Sequence, residues 1–119
     1  MEKINLREKL SQFSDHWNPR IIGEMNGQHV KLAKFQGEFV WHHHEEDELF
    51  MVLKGTLLIK FRNNEDILLK EGEMIIVPAK IEHMPVATEE VHVLLFEPIS
   101  TRNTGNVVEE RTRHKLEKI

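Results

Sequence analysis

Eight consecutive residues near the middle of the chain combine histidines with acidic side chains, in the order Trp41-His42-His43-His44-Glu45-Glu46-Asp47-Glu48. Imidazole nitrogens and carboxylate oxygens are donor atoms that bind Fe(II), Mn(II), Ni(II) or Zn(II) in proteins. On an extended strand, residues i and i+2 face the same side, so His42 and His44 could chelate one ion while His43 faces away. Glu48 has the same parity, and a tight connection after His44 would bring its carboxylate back to the two imidazoles.

Spacing alone does not identify which carboxylate is the ligand, because Asp47 is adjacent to Glu48 and Glu46 faces the same side of a strand as Glu48. A fourth donor must come from elsewhere, and His83 is the best remaining candidate since prolines on both sides fix its local backbone. Three histidines and one carboxylate leave open positions on a five- or six-coordinate ion, which suits ligand exchange or chemistry. The competing interpretation is a solvated polar loop whose histidines bind nothing.

The composition limits the class of protein. The 119 residues include no cysteine, which excludes a disulfide framework, a zinc finger, an iron–sulfur cluster and a cysteine nucleophile. A formal net charge of −4 gives no attraction to nucleic acid or to an anionic membrane, so neither is expected as a partner. Residues 1–15 lack the apolar run of a secretory signal, and no stretch has the ~20 apolar residues of a membrane span. We therefore expect a cytoplasmic protein.

The hydrophobic pattern divides the chain into three parts. Residues 1–19 contain apolar side chains at helical spacing, which predicts a short amphipathic helix over residues 4–13 that packs on the rest of the protein. Residues 20–98 are predicted to form a barrel. Residues 99–119 are polar and are predicted to form a C-terminal loop and tail, which could be mobile.

The barrel prediction depends on short apolar runs with turn signals between them. Residues 20–98 contain eight such runs, two of them over residues 39–44 and 91–97, and dipeptides such as Asn26-Gly27 separate them. Strands at this near-regular spacing are typical of a sandwich or a closed barrel. The run over residues 49–53 barely alternates, which predicts burial on both faces of that strand.

Two stretches of the chain resemble the two sequence motifs of the cupin family. The first is Gly37-x4-His42-x-His44-x3-Glu48-x6-Gly55, in which the spacing from glycine to histidine is one residue shorter than usual. The second is Gly72-x5-Pro78-x-Lys80-x2-His83, with Lys80 where a glycine is common and Ala87 where an asparagine is common. The resemblance covers roughly residues 28–96 and is closest to small single-domain cupins, which are often likened to mannose-6-phosphate isomerases.

The resemblance implies a fold, a cofactor and a set of ligands. Cupins are jelly-roll barrels, also called double-stranded β-helices, that often form homodimers and hold a small-molecule ligand inside the barrel. It implies one divalent transition-metal ion (Fe, Mn, Ni or Zn), bound by His42, His44, Glu48 and His83. In the family's usual sequence the glutamate that directly precedes the apolar run is the ligand, which favours Glu48 over Asp47.

Few residues outside the ligand set are candidates for catalysis. His92 lies in an apolar run, where a histidine is more often a core residue than a cavity residue, but it is the one general base that the pattern offers. Arg102 lies in a stretch rich in hydrogen-bonding groups that could fold over the barrel mouth. There its guanidinium would meet an anionic substrate.

The expected function is that of a metal-dependent enzyme acting on a small molecule. Stabilisation of a carbonyl or enediol oxygen by the ion would serve isomerase or lyase chemistry, and Fe(II) would also permit dioxygenase chemistry. The alternative is a non-catalytic cupin that binds a small molecule or uses the metal structurally. A cavity that contains an unligated acid or base would favour the enzyme, whereas a cavity sealed by apolar side chains would favour a structural site.

Overall fold

The computed structural model describes all 119 residues, and the predicted all-β fold with one short N-terminal helix is confirmed. The elements follow in the order α1 (Leu6–Leu10), β1 (Arg20–Met25), β2 (Gln28–Glu38), β3 (Glu48–Lys54), β4 (Leu57–Phe61), β5 (Ile67–Leu69), β6 (Met74–Val77) and β7 (His83–Pro98). No helix has the length and apolar character needed to cross a membrane.

Strand β7 is the longest strand of the jelly-roll barrel and pairs with three other strands. It is 16 residues long and pairs with β2 along most of its length, with β4 through its first residues and with β3 through its last. The remaining pairs are β1 with β2, β3 with β6 and β4 with β5, and all of these pairs are antiparallel. Because β7 pairs with β2, β3 and β4, the inward side chains of these four strands pack into one main core.

Buried and half-buried residues alternate along β3 and along the second half of β7. In β3, the side chains of Glu48, Phe50 and Val52 are buried, and in β7 every second residue from Val91 to Glu97 is buried. The residues between them are half-buried. The period of two therefore gives each strand a distinct inner face. It also brings an acidic side chain from each strand into the interior.

The helix α1 is shorter than the predicted helix over residues 4–13. Asn5 precedes it and accepts a hydrogen bond from the backbone N–H of Glu8 at 3.1 Å, which satisfies one of the free donors at the helix start. The two leucines of the helix pack against a small apolar cluster whose buried members are Phe13, Ile22 and Leu32.

Trp17 anchors the segment between α1 and β1 to the barrel. Its ring lies nearly parallel to the rings of Phe35 and Phe39, with centroid distances of 4.3 and 4.6 Å. The indole N–H donates a hydrogen bond to the carbonyl oxygen of Gln36 at 3.0 Å. The segment before β1 thus contributes an aromatic side chain to the main core.

The prediction of a strand over residues 39–44 is wrong. Strand β2 ends at Glu38, one residue after Gly37, which has a φ of 85° where the register of β2 and β7 shifts. The following segment is a loop that forms a single isolated bridge to β7, between His42 and His83 with N···O distances of 3.0 and 2.9 Å, and the N–H of Phe39 also donates to the carbonyl oxygen of Pro85 at 3.0 Å. Strand β7 begins at His83, whereas the sequence pattern predicted a strand that begins at residue 91.

The C-terminal segment over residues 99–119 crosses the barrel and ends beside β1. The backbone N–H of Ile119 donates to the carbonyl oxygen of Ile21 at 3.0 Å, and the N–H of Ile21 donates to Glu117 at 2.9 Å. Midway along the segment, the N–H of Asn106 donates to the carbonyl oxygen of His43 at 3.0 Å, and Thr104 is fully buried. This segment therefore contacts the loop that carries the candidate ligands.

Candidate metal centre

The structure brings His42, His44, Glu48 and His83 together inside the barrel. One donor atom from each side chain lies within 4.8 Å of every other, and all four residues are buried. His42 and His44 come from the loop after β2, Glu48 is the first residue of β3, and His83 is the first residue of β7. The four candidate ligands thus come from three different parts of the chain.

Hydrogen bonds to the backbone orient two of the histidine rings. His42 Nδ1 donates to the carbonyl oxygen of Val40, and His83 Nδ1 donates to the carbonyl oxygen of Ile81, each at 2.8 Å. A ring that donates through Nδ1 keeps its lone pair on Nε2, which is the tautomer that a metal ion binds. The sequence places each acceptor carbonyl two residues before its histidine.

Several donor atoms in the cluster have no hydrogen-bond partner within the protein. They are both ring nitrogens of His44, Nε2 of His83 and Oε1 of Glu48, although this oxygen lies 3.3 Å from the Nε2 atoms of both histidines. Buried polar atoms without partners are costly, and a bound ion would remove that cost by accepting their electron pairs. A divalent transition ion would accept these lone pairs, so the donor set fits such an ion.

The neighbouring acidic residues make contacts elsewhere. Asp47 Oδ1 accepts a hydrogen bond from the backbone N–H of Ala79 at 2.8 Å, and Glu46 Oε2 accepts one from the hydroxyl of Ser100 at 2.5 Å. Glu48 is thus the carboxylate that the fold directs toward the three histidines.

The electrostatics of the cluster favour the protonation states that bind metal. Burial, together with the nearby His83 and His44, lowers the pKa of His42 to about 3, so its imidazole is neutral at pH 7. Burial opposes ionisation of Glu48, but the adjacent His44 and His83 rings hold the pKa of its carboxyl well below the usual range. A neutral imidazole and an ionised carboxylate are the forms that donate electron pairs to a cation.

Lys80, which departs from the second motif, has a φ of 68°. This is the left-handed region, which glycine adopts without steric cost, and it explains in physical terms why glycine suits this position. The N–H of Lys80 donates to the carbonyl oxygen of His44 at 2.7 Å. The turn before β7 therefore bonds directly to the loop that carries two of the histidines.

Sequence reasoning missed Glu97 and Lys31. Glu97 lines the same interior cavity as His42 and Glu48, and its Oε1 accepts a hydrogen bond from Lys31 Nζ at 2.8 Å. Burial, reinforced by the charge of Glu48, raises the pKa of Glu97 well above its usual range. The alternation of the strand could have indicated Glu97. Every second residue of β7 from Val91 onward faces inward, and Glu97 occupies one of these positions.

Two openings flank the cluster. An interior cavity of about 20 Å³, the room that one water molecule occupies, is lined by His42, Glu48 and four aromatic side chains, and also by Asn103 of the C-terminal segment. A separate polar cleft has His44 and Arg102 among the residues that line it. The Nε of Arg102 donates to the carbonyl oxygen of Gly105 at 2.9 Å, which holds this side chain in the cleft.

His92, by contrast, is not brought to the cluster. It alternates with the buried Val91 and Val93, so it lies on the outer face of β7, and its Nε2 contacts Glu90 at 2.9 Å. Hydrogen bonds from His16 and then His92 lower the pKa of that carboxyl to about 2. This position does not support His92 as a general base for chemistry at the metal centre.

Gly105 provides a test of how the C-terminal segment packs on the ligand loop. It has a φ of 57°, and a Cβ atom at this position would overlap the carbonyl oxygen of His43. We expect Gly105→Ala to lower the free energy of unfolding by more than the ~1–2 kcal/mol that left-handed backbone alone costs. Urea unfolding measures the difference.

Gly72→Ala is the matched control, because Gly72 has a φ of 81° and open space around its Cβ position. It should show only the backbone cost. Equal destabilisation by the two substitutions would contradict the close packing of Gly105 on the ligand loop.

Comparison with known proteins identifies the class that this fold and site define. The family model described as "Cupin domain" matches residues 28–97, which is more than half of the chain. The protein therefore belongs to the cupin family. The segment includes all four candidate ligands and Glu97.

Two curated proteins are similar to the chain in sequence. The chain is 42% identical over 79 residues to the uncharacterised protein YdbB of Bacillus subtilis, covering 66% of this chain and 64% of that one. It is 26% identical over 101 residues to 3-hydroxyanthranilate 3,4-dioxygenase of Xenopus tropicalis, covering 79% and 36%. The chain thus spans less than two thirds of the length of these curated relatives.

Solved structures agree with the fold. The crystal structure of a cupin-2 domain containing protein from Shewanella frigidimarina has a TM-score of 0.78 at 49% identity, covering 80% of this chain and 93% of that one. Protein NMB1881 from Neisseria meningitidis has a TM-score of 0.75 at 30% identity, covering 82% and 99%.

Proposed function

We propose that this protein is a metal-dependent enzyme that acts on a small molecule. The observation that carries the proposal is the buried set of three histidines and one glutamate whose donor atoms lack partners, beside a further carboxyl group that the set does not use. In the proposal, His42, His44, Glu48 and His83 hold one divalent ion, with Fe, Mn, Ni and Zn as candidates.

The surroundings of the cluster support chemistry over a purely structural ion. A bound ion would supply a Lewis acid for substrate oxygens or, as Fe(II), redox chemistry with dioxygen. Glu97 lies in the same cavity as His42 and Glu48 and is an unligated acid. The cleft at His44 has no hydrophobic side chain in its lining, and we propose that a polar substrate approaches the centre from this side.

Among reaction classes, we favour a dioxygenase that acts on a small aromatic molecule. The similarity to 3-hydroxyanthranilate 3,4-dioxygenases supports this choice. Isomerase or lyase chemistry is the second candidate, because it requires no particular redox state of the ion.

Oxygen consumption separates these reaction classes. Purified protein, loaded anaerobically with Fe(II), is mixed with dioxygen and with 3-hydroxyanthranilate, catechol or hydroquinone in an oxygen electrode. A dioxygenase consumes dioxygen and substrate in equal amounts, and the Zn(II)-loaded protein consumes neither. Absence of substrate-dependent oxygen uptake with all three compounds would count against the dioxygenase and favour the second class.

Arg102 is proposed to recognise an anionic group of the substrate in the cleft. We expect Arg102→Gln to weaken the binding of benzoate about tenfold or more, because a hydrogen bond to a charged group contributes about 1.5–3 kcal/mol. Thermal shift measurements over a benzoate titration provide the affinity, since a bound ligand stabilises the folded state. Benzyl alcohol, which carries no charge, should bind the variant and the wild type equally.

Arg62→Gln is the matched control for loss of one positive charge. Arg62 lies over the Trp41 ring at 4.2 Å and pairs with Glu82 at 2.6 Å, and it does not line the cleft. If both arginine variants changed benzoate binding equally, the role proposed for Arg102 would be wrong.

The alternative to an enzyme is a non-catalytic cupin that binds a small molecule or uses the ion structurally. The unligated Glu97 and the polar cleft at His44 favour the enzyme. The proposal also includes a cytoplasmic homodimer that binds no nucleic acid. Analytical ultracentrifugation tests the dimer, because the measured molecular mass would be twice the chain mass of 14.1 kDa.

A further inference from the structure

A third opening, here called the basic cleft, lies between the C-terminal segment and the first two strands of the barrel. The residues that line it come from β1 and β2, from the stretch 99–102 and from the stretch 113–118. Its volume of about 530 Å³ is within the range of sites that hold small molecules. None of the four candidate metal ligands lines the basic cleft, so it is a separate feature of the fold.

Positive charge dominates the lining of the basic cleft. Its lysines and arginines are Lys31, Arg102, Arg113, Lys115 and Lys118, and its one acidic residue is Glu24. Lys31 forms an ion pair with Glu97 at 2.8 Å, whereas the other four cations pair with no carboxylate of the chain. Because the whole chain has a formal net charge of −4, this local excess of positive charge runs against the overall composition. An anion is therefore attracted to this cleft and repelled by most of the surface.

Two polar side chains in the lining lack a partner within the protein. The one hydrogen bond that Arg113 donates comes from its backbone N–H, and the buried Nε of its guanidinium has no acceptor. Thr101 is 6% exposed, and its hydroxyl makes no hydrogen bond either. Buried donors without acceptors are costly. An oxyanion, which offers several acceptor oxygens and no donor, is the kind of ligand that supplies what this lining lacks.

Backbone hydrogen bonds hold the basic stretch 113–118 in place at both ends. At its start, the N–H of Arg113 donates to Asn103 Oδ1 at 2.8 Å. At its end, the N–H of Ile21 donates to the carbonyl oxygen of Glu117 at 2.9 Å. The cations of this stretch are therefore presented on an anchored backbone, which lowers the ordering cost of binding a ligand.

The environment of His29 agrees with a positive potential in the cleft. Burial and then the charge of Lys31 lower the pKa of His29, and Lys118 adds to this effect while Glu24 opposes it. A further positive charge is thus disfavoured beside these lysines, and the same field favours a negative one.

We propose that the basic cleft is a second binding site, distinct from the metal centre, for a small molecule that carries a phosphate group. The planar guanidinium of Arg113 matches two oxygens of such a group, and Lys115 and Lys118 contribute point charges. The site does not depend on a bound metal ion, because no candidate ligand takes part in it.

The test is a titration of the full-length protein with inorganic phosphate at constant ionic strength, followed by NMR of the ¹⁵N-labelled backbone. We expect the amide signals of Thr101 and of residues 113–118 to shift and to reach saturation, which gives an affinity for a located site. Arg102 is not varied, because it lines both this cleft and the cleft at His44.

Two variants remove cations from the cleft. Arg113→Gln should weaken phosphate binding about tenfold or more, the usual effect of losing a hydrogen bond between charged groups. Lys115→Gln/Lys118→Gln should weaken it by at least about threefold through the loss of two nearby charges. The side chains of both lysines are exposed and form no ion pair, so this variant is expected to fold even if Arg113→Gln does not.

Lys54→Gln/Lys70→Gln is the matched control, because it removes the same charge from two exposed lysines outside the lining of the cleft. It should bind phosphate as the wild type does. Equal affinities of the two lysine variants would overturn the inference. So would shifts that rise linearly without saturation, or shifts confined to residues 42–48, which would locate the phosphate at the metal centre instead.

Discussion

Replacing both His42 and His44 by alanine is expected to reduce bound metal from about one ion per chain to near zero. The change removes two of the four donors and leaves His83 and Glu48, which are too few to hold a transition ion against competition from water and buffer. Both rings are buried and His42 donates a hydrogen bond to the carbonyl oxygen of Val40, so the variant should also be less stable than the metal-free wild type, and circular dichroism checks that it is folded. Elemental analysis of both purified proteins measures the metal content.

His43→Ala is the control for this experiment. Its side chain is a third exposed, and the bonds that hold this residue to Asn106 involve only its backbone. This variant should keep the full metal content and the stabilisation that added metal gives the wild type. Equal metal content in the wild type and the double alanine variant would contradict the site.

Trp17→Ala is expected to lower the free energy of unfolding by about 3–5 kcal/mol, the usual cost of deleting a buried large aromatic side chain. Trp17 is 6% exposed and packs between Phe35 and Phe39 in the main core. The substitution also removes the hydrogen bond from the indole N–H to Gln36. Since Trp17 and both phenylalanines line the interior cavity, the variant should also open that cavity to water.

Trp41→Ala is the matched control for loss of an indole. Trp41 is half-buried, and its ring packs under the guanidinium of Arg62. An exposed cation–π contact contributes only about 0.5–1 kcal/mol, so this variant should be destabilised far less. Urea unfolding followed by far-UV circular dichroism compares the two. Similar losses for both variants would mean that Trp17 does not anchor the N-terminal segment to the core.

The candidate ligands could be singled out from sequence because donor type and spacing together are informative. His42 and His44 lie on a loop, contrary to the predicted strand, yet the alternation that a strand implies still directs both side chains inward. The bridge between His42 and His83 maintains this alternation locally. The prediction thus selected four side chains that the structure does bring together, although the local structure it assumed for two of them was wrong.

Residues whose role depends on distant strands could not be identified in the same way. Lys31 and Glu97 are 66 positions apart, and the register of β2 with β7 alone brings them together. A lysine and a glutamate in half-apolar strands are most simply interpreted as surface residues. Likewise, the contact of Gly105 with the ligand loop depends on the path of the C-terminal segment, which has no periodic pattern to predict it.

Anomalous X-ray scattering from a crystal of the metal-loaded protein locates the ion directly when it is recorded at the absorption edge of the metal that elemental analysis identifies. If the proposed centre is correct, one strong anomalous peak will be enclosed by the side chains of His42, His44, Glu48 and His83. A peak at any other place, or no peak between these four side chains in a protein that contains metal, would contradict it.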